Sequence, residues 1–281
     1  MYLGHRSILP LSILFAGVVL SPLPRAAAQH EAGNTSGPSK YLFLNNVELK
    51  PGQSSAFAKL ENEEIEAMRA AKAPGNYIGM WSITGSNHVL FTHGFDSFGD
   101  LQKAHDQRAA MSKLQETIEA DGAQEGQLEV SHHASIYSFE KDLSLNVNLD
   151  LSKMRFMRII LFHIRDGHDD DWQHLVKQVI KTYQASLPNA RWAMFQKMYG
   201  EGSGNTYILV TPMESLGAVD TMISDGKKLR EGAGEDFLAM FRNGLTAIVE
   251  SEETDLFALG QKISYVPDSW LTSSPDFWGK K

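Results

Sequence analysis

Ten histidines and no cysteine narrow the chemistry open to this chain of 281 residues. Disulfides and thiolate metal sites are excluded, and acid–base groups remain. Glu48 and His163 occupy matched places in two similar stretches. Each lies on the strand face opposite its apolar neighbours, Val47 and Leu49 in one stretch and Phe162 and Ile164 in the other. As a carboxylate–imidazole pair they could pass a proton; at strand ends in water they would only be solvated. His93 shares a strand face with Val89 and Phe91, so it reads as a core histidine or as a pocket base. Its counterpart in the second stretch is Thr211, an asymmetry that a single pocket would show and that relaxed selection would give too. His93, Glu48 and His163 are therefore the candidate catalytic residues. Trp81, Phe91, Trp192 and Tyr207 are candidates for lining a ligand site, although such aromatics more often pack a sheet.

Other clusters carry less. His132 and His133 are adjacent, and adjacent strand residues point to opposite faces, so they cannot share an ion without a bulge. His163, His168 and Asp169 to Asp171 look like metal ligands. The acids are better explained by a helix start, where free N–H groups favour negative charge. Gly200 to Gly204 joins two strands and does not open onto a helix, so it is no phosphate loop. No nucleophile elbow, Walker sequence or zincin motif occurs. No metal site and no cofactor is expected, and a haem held through His93 or His105 would show itself in the Soret region.

These residues are positioned by a pattern that recurs. Val47 to Gly52 running on to Phe57 is echoed by Phe162 to Gly167 running on to Trp172. Leu60, Ile65 and Met68 then fall on Leu175, Ile180 and Tyr183, and Asp96 to Gly99 falls on Glu214 to Gly217. In the first copy, strands are predicted at 40–49, 77–84, 88–95 and 128–139, with helices from Ser54 or Ser55 to Pro74 and over 97–120. In the second, strands are predicted at 155–164, 192–199, 205–211 and 246–257. A helix covers 170–186, and a helical region broken by Gly226 and by Gly232 to Gly234 resumes over 235–242. Both copies read β-α-β-β-α-β. Leu143, Leu145, Val147, Leu149 and Leu151 alternate with polar residues, the pattern of an added edge strand or an arm crossing between copies. The tail beyond Tyr265 carries Trp270, Phe277 and Trp278 and is expected to dock as an extended strap.

The domain reading is a signal peptide over 1–28, a disordered leader over 29–39, one ferredoxin-like domain over 40–142, a linker or extra strand over 143–154, a second such domain over 155–265, and a tail over 266–281. The apolar run from Ile8 to Leu20 followed by Ala26 to Ala28 supports cleavage after Ala28 and a periplasmic or secreted address. Cleavage would leave 24 basic against 34 acidic residues, a formal charge of −10. Nucleic acid is not an expected partner, nor is a membrane after cleavage. Association into a homo-oligomer is left open.

The strand ending in Lys50-Pro51-Gly52, the helix bearing Phe57, and Phe95-Asp96-Ser97 leading to a helix with His105 together resemble the dimeric α/β-barrel superfamily. The antibiotic-biosynthesis-monooxygenase-like and NIPSNAP-like groups are closest in style. The resemblance implies an α+β fold in which two tandem ferredoxin-like units form an intrachain dimeric α/β barrel. The superfamily includes cofactor-free oxygenases, haem-degrading enzymes and members without a known reaction, so whether this chain is an enzyme stays open. The leading expectation is an exported protein that binds a small apolar molecule in its barrel. A cofactor-independent monooxygenase-like enzyme and a non-catalytic structural or interaction protein are the alternatives.

Overall fold

A computed structural model of the chain describes residues 37–202 and 204–279. The expected signal peptide and most of the expected leader lie outside the described residues. Eight strands close into one antiparallel barrel: β1 (Tyr41–Leu49), β2 (Ile78–Ser82), β3 (His88–Phe95), β4 (Glu129–Phe139), β5 (Phe156–Ile164), β6 (Ala193–Tyr199), β7 (Thr206–Met213) and β8 (Val249–Leu259). Around the barrel they run β1-β3-β2-β8-β5-β7-β6-β4, with β4 pairing back to β1. The strand order β4-β1-β3-β2 of the first half recurs as β8-β5-β7-β6 in the second. The register recurs as well: each first strand slips at its last step, between Glu48 and Leu49 and between His163 and Ile164.

Alternation along the strands sorts side chains between two compartments. Val47 and Leu49 face outward and pack with Val89 on Phe57 of α1 (Ser54–Ala71). Phe162 and Ile164 do the same with Trp172 of α4 (Asp169–Ser186). The inward set, including Leu42, Met80, Met157, Phe195 and Phe257, forms a separate cluster inside the barrel.

Four segments depart from the sequence reading. The helix predicted over 97–120 is two helices, α2 (Phe98–Ala109) and α3 (Ser112–Leu128), and α3 runs eight residues further than expected. Its glycines at 122 and 126 do not end it, because it packs along α1 with Leu114 and Asp121 buried. In the second half, α5 (Gly217–Gly232) passes through Gly226 unbroken, and the break falls at Gly234, whose φ is +79°. α6 (Glu235–Ile248) then consumes the first residues of the predicted last strand. Between the halves, Leu145 makes a single bridge to Trp192, so of the two readings of that segment the added edge strand does not form. The tail is helical where an extended strap was expected: α7 (Asp268–Ser273) and α8 (Pro275–Trp278) dock on the barrel end.

The helix layers of the two halves differ in kind. At equal helix positions, α4 offers Val176 and Val179 and α6 offers Phe241 and Leu245 to one apolar cluster. Their places are taken in the first half by Glu61 and Glu64 on α1 and Asp121 and Glu125 on α3. Glu61 and Glu64 are only 8% and 9% exposed. Tyr77 donates to Glu61 at 3.3 Å, while Asp121 Oδ2 and Glu125 Oε1 are buried without a hydrogen-bond partner. Burial first, and then repulsion from Glu125 and its neighbours, raises Glu61 well above the usual carboxylate range. The same causes take Glu64 to about 8, and burial with Glu129 and Asp121 takes Glu125 to about 7. His132 lies on the other side of Glu129, at 3.5 Å, and opposes the shift of Glu125.

The sign of the resulting pH dependence follows. Unfolded glutamates release their protons near 4.5, whereas the fold holds them to about 7 and 8. Stability present below pH 4.5 is therefore lost as pH rises through that window. The melting temperature should fall steadily from about pH 5 to about pH 8.5. Glu64→Val with Glu125→Leu, which installs the apolar character of the second half, should flatten the profile and add on the order of 3 kcal/mol at the alkaline end. A thermal melt series that rises with pH, or keeps its slope in the double variant, contradicts this account.

Candidate functional site

β1 and β5 point the same way along the barrel, since each step β1-β3-β2-β8-β5 is antiparallel. Their first residues therefore mark one end of the barrel and their last residues the other. At the first end lies a cavity of about 540 Å³, within the size range of small-molecule sites. Its walls are the inward-facing residues of the strand ends, among them Leu42 and Leu44 of β1, Met157 and Ile159 of β5, and Ile208 and Val210 of β7.

Segments outside the sheet complete it, including Gly37 to Ser39 ahead of β1 and Gly75 to Tyr77 ahead of β2. The connection between the halves contributes Leu149 to Ser152, and the tail contributes Val266, Pro267, Ser269, Trp270 and Ser273. They are held to each other. Trp278, 5% exposed, donates its indole N–H to the Ser152 carbonyl at 2.9 Å, and Ser273 meets the Ser152 hydroxyl at 3.1 Å. The guanidinium of Arg155 sits 4.1 Å over the Phe277 ring and donates to the carbonyls of Ser152 and Met154.

His93 is the candidate base that borders this cavity, at its rim: like Val89 and Phe91 it lies on the helix face of β3, not among the inward-facing walls. Its Nδ1 is 2.6 Å from the Asn76 carbonyl, and its ring stacks on Phe95 at 6.2 Å. A carbonyl only accepts, so Nδ1 carries the hydrogen and the neutral ring keeps its lone pair on Nε2. Burial lowers the His93 pKa; the Asn76 bond opposes this and the Arg108 charge adds to it. The histidine is thus held neutral, with one nitrogen fixed as donor and the other able to accept a proton.

Glu48 and His163 lie at the opposite end of the barrel. Ser131 donates to Glu48 at 3.3 Å, and His163 Nδ1 is 3.3 Å from the Thr206 hydroxyl. Among the described residues no hydrogen bond or ion pair joins the two to each other. Of the four aromatic candidates, Trp192 lines the cavity while donating to the Leu143 carbonyl. Trp81 and Phe91 pack against Phe57 on the helix side of the sheet. Tyr207 is fully buried against Trp172 and donates its hydroxyl to Asp169, which with burial raises its pKa.

Among the described residues the other histidines have local partners; His88 meets the Ser86 carbonyl at 2.9 Å and His174 meets Gln178 at 2.8 Å. His132 meets Glu129, His133 meets Glu201 at 3.0 Å, and His168 meets Asp171 at 2.9 Å. His105 is exposed on α2 beside Asp106. Sequence reasoning missed the cavity's non-sheet walls and missed Arg108, which approaches His93 from α2. The only advance signal was the aromatic content of the tail.

No protein-family model matches the chain, and no curated protein matches it in sequence. Solved structures do resemble it. A proposed monooxygenase from Lactobacillus acidophilus superposes with a TM-score of 0.51 at 11% identity, over 83% of this chain and 98% of its own. A proposed monooxygenase from Fusobacterium nucleatum gives 0.50 at 8% identity, over 80% and 93%. An anthrone oxidase-like protein gives 0.50 at 15% identity, over 78% and 91%. Identities this low speak for fold alone. The chain has a mixed α+β fold around a closed eight-stranded antiparallel barrel, and these structural neighbours belong to the dimeric α/β-barrel superfamily.

Proposed function

We propose that this chain is an exported pseudo-dimer of two tandem ferredoxin-like units whose barrel binds a small, largely apolar molecule. The observation that carries the reading is the cavity of about 540 Å³ at one barrel end, walled by aliphatic strand residues and flanked by the tail. A barrel serving only as a scaffold would have that space filled by Phe, Met and Trp side chains. The recurring strand order and matched register slips support the tandem reading. The address in the periplasm or outside the cell rests on the apolar amino-terminal run alone.

The probe for this reading is N-phenyl-1-naphthylamine, a neutral apolar dye that brightens out of water. It should bind saturably, at one site per chain. Ala193→Trp and Val210→Phe each fill the cavity from an inward-facing position and should weaken binding at least tenfold. Absence of saturable binding, or equal binding by both folded variants, overturns the assignment.

The alternative is a cofactor-independent oxygenase, favoured by one specific feature: His93 is neutral, tautomerically fixed and at the cavity rim. A base of that kind can take a proton from a bound substrate and contributes about 10² to 10⁴ in rate. In ¹⁵N-resolved NMR, His93 should hold its hydrogen on Nδ1 at neutral pH and titrate below its usual 6.5. Oxygen uptake with any cavity ligand should fall by about a hundredfold or more in His93→Gln. Uptake unaffected by that change removes His93 from the chemistry.

A further inference from the structure

Along its inward face β3 carries Leu90, Thr92 and Gly94, where β7 carries Ile208, Val210 and Pro212. The registers match: Thr92 pairs with Leu44 as Val210 pairs with Ile159, and Gly94 pairs with Leu42 as Pro212 pairs with Met157. Directly opposed residues of an antiparallel pair share a face, so Thr92 turns into the barrel with Leu44. Of the inward-facing strand residues that line the cavity, Thr92 alone has a polar side chain. It is partly buried, and among the described residues its hydroxyl makes no hydrogen bond.

Gly94 admits a second hydroxyl beside it. A Cβ at Gly94 would lie 2.6 Å from Ser39 Oγ and 3.0 Å from Ser39 Cβ, so Ser39 occupies the place a side chain would take. Ser39 also lines the cavity, and its hydroxyl too has no hydrogen bond among the described residues. The cavity is therefore two-sided, with hydroxyls on the first-half wall and Met157, Ile159 and Val210 on the other. No lysine or arginine lines it. The one acid in its lining, Asp150, accepts from the amide and hydroxyl of Ser152 and pairs with Lys153 at 3.5 Å. An anionic ligand would lose its hydration there without gaining a counter-charge. A ligand hydroxyl suits the pair of side chains, because it can donate to one and accept from the other. We propose that the cavity selects an uncharged alcohol, its hydroxyl held by Thr92 and Ser39 and its hydrocarbon body against the second-half wall.

This inference rests on the cavity being a binding site, so the test separates the two. Cyclooctane, cyclooctanol and cyclooctanecarboxylate present one ring bare, with a hydroxyl and with a charge. Isothermal titration of the full chain at neutral pH should show the alcohol binding about tenfold or more above the carboxylate. Thr92→Val keeps the shape and removes the hydroxyl. It should cut cyclooctanol affinity roughly fivefold or more and leave cyclooctane within about twofold, and Ser39→Ala should act in the same direction. Carboxylate binding as tight as that of the alcohol overturns the uncharged class and leaves the cavity reading standing. So does a folded Thr92→Val that binds cyclooctanol as before, or that loses alcohol and hydrocarbon alike. Tighter binding of cyclooctanone than of cyclooctanol overturns the choice of an alcohol. Failure of all these compounds to bind overturns selection and cavity together. If Thr92→Val does not fold, Ser39→Ala and the wild-type comparison of alcohol with acid still decide the matter.

Discussion

Closure of the sheet is the constraint on which the rest depends. Within each half the first strand pairs along nearly its whole length with both neighbours, but the halves meet at two short seams. At one, Met80, Trp81 and Ser82 of β2 pair with Leu259, Ala258 and Phe257 of β8; at the other, β4 pairs with β6 between Ile136 and Phe139. Those seams remove every open strand edge, each of which would otherwise present unpaired backbone groups. They also turn the inner faces of both halves toward one another, so apolar residues that neither half could cover alone lie in one cluster. Everything said about the cavity follows from that closure, because its walls come from both sides of each seam.

The barrel is not uniform along its axis. Aliphatic side chains dominate near the first residues of β1 and β5, while Glu48, His88, His163 and Thr206 gather near the ends of β1, β3, β5 and β7. The connection and tail cover the apolar end, and the bonds to Ser152 tie these two segments together. A barrel mouth lined with Leu and Met would be a sticky surface in water, so its cover serves solubility as well as enclosure. Tyr265 joins this cover to the wall: it bridges to Tyr77, whose hydroxyl reaches the buried carboxyls between α1 and α3. The proton state of that cluster is thus mechanically adjacent to the cavity through one aromatic residue.

Much of this was legible along the chain, and the parts that were not share a cause. Val47 and Leu49 against Glu48 declared a strand face, and the echo at Phe162 to Ile164 declared a second strand at the same register. Such alternation is local, so sequence exposes it directly. The extent of α3 was not legible, since Asp121, Gly122, Glu125 and Gly126 read as a loop until α1 provides a partner for them. Residues 143–151 alternate like a strand, yet Leu143 and Leu145 are spent on the helix layer of the second half and Leu149 and Leu151 on the cavity. Arg108 was invisible for the same reason: an arginine late in a polar helix reads as solvated. Its approach to His93 and the turn at Gly75 becomes visible only in the fold.

The two halves differ in what their helix layers bury. A site made by two identical halves would be present twice, once at each equivalent position. Here His93 faces Thr211 in the equivalent place, Tyr77 faces Trp192, and Glu61 and Glu64 face Val176 and Val179. At these helix positions the second half has the substitutions that a packed core favours, apolar side chains in place of acids. The first half keeps groups that cost stability where they sit, a histidine whose pKa burial lowers and several carboxyls whose pKa values burial raises. They leave the first half with a costlier helix layer than its counterpart, which packs apolar side chains in the same places.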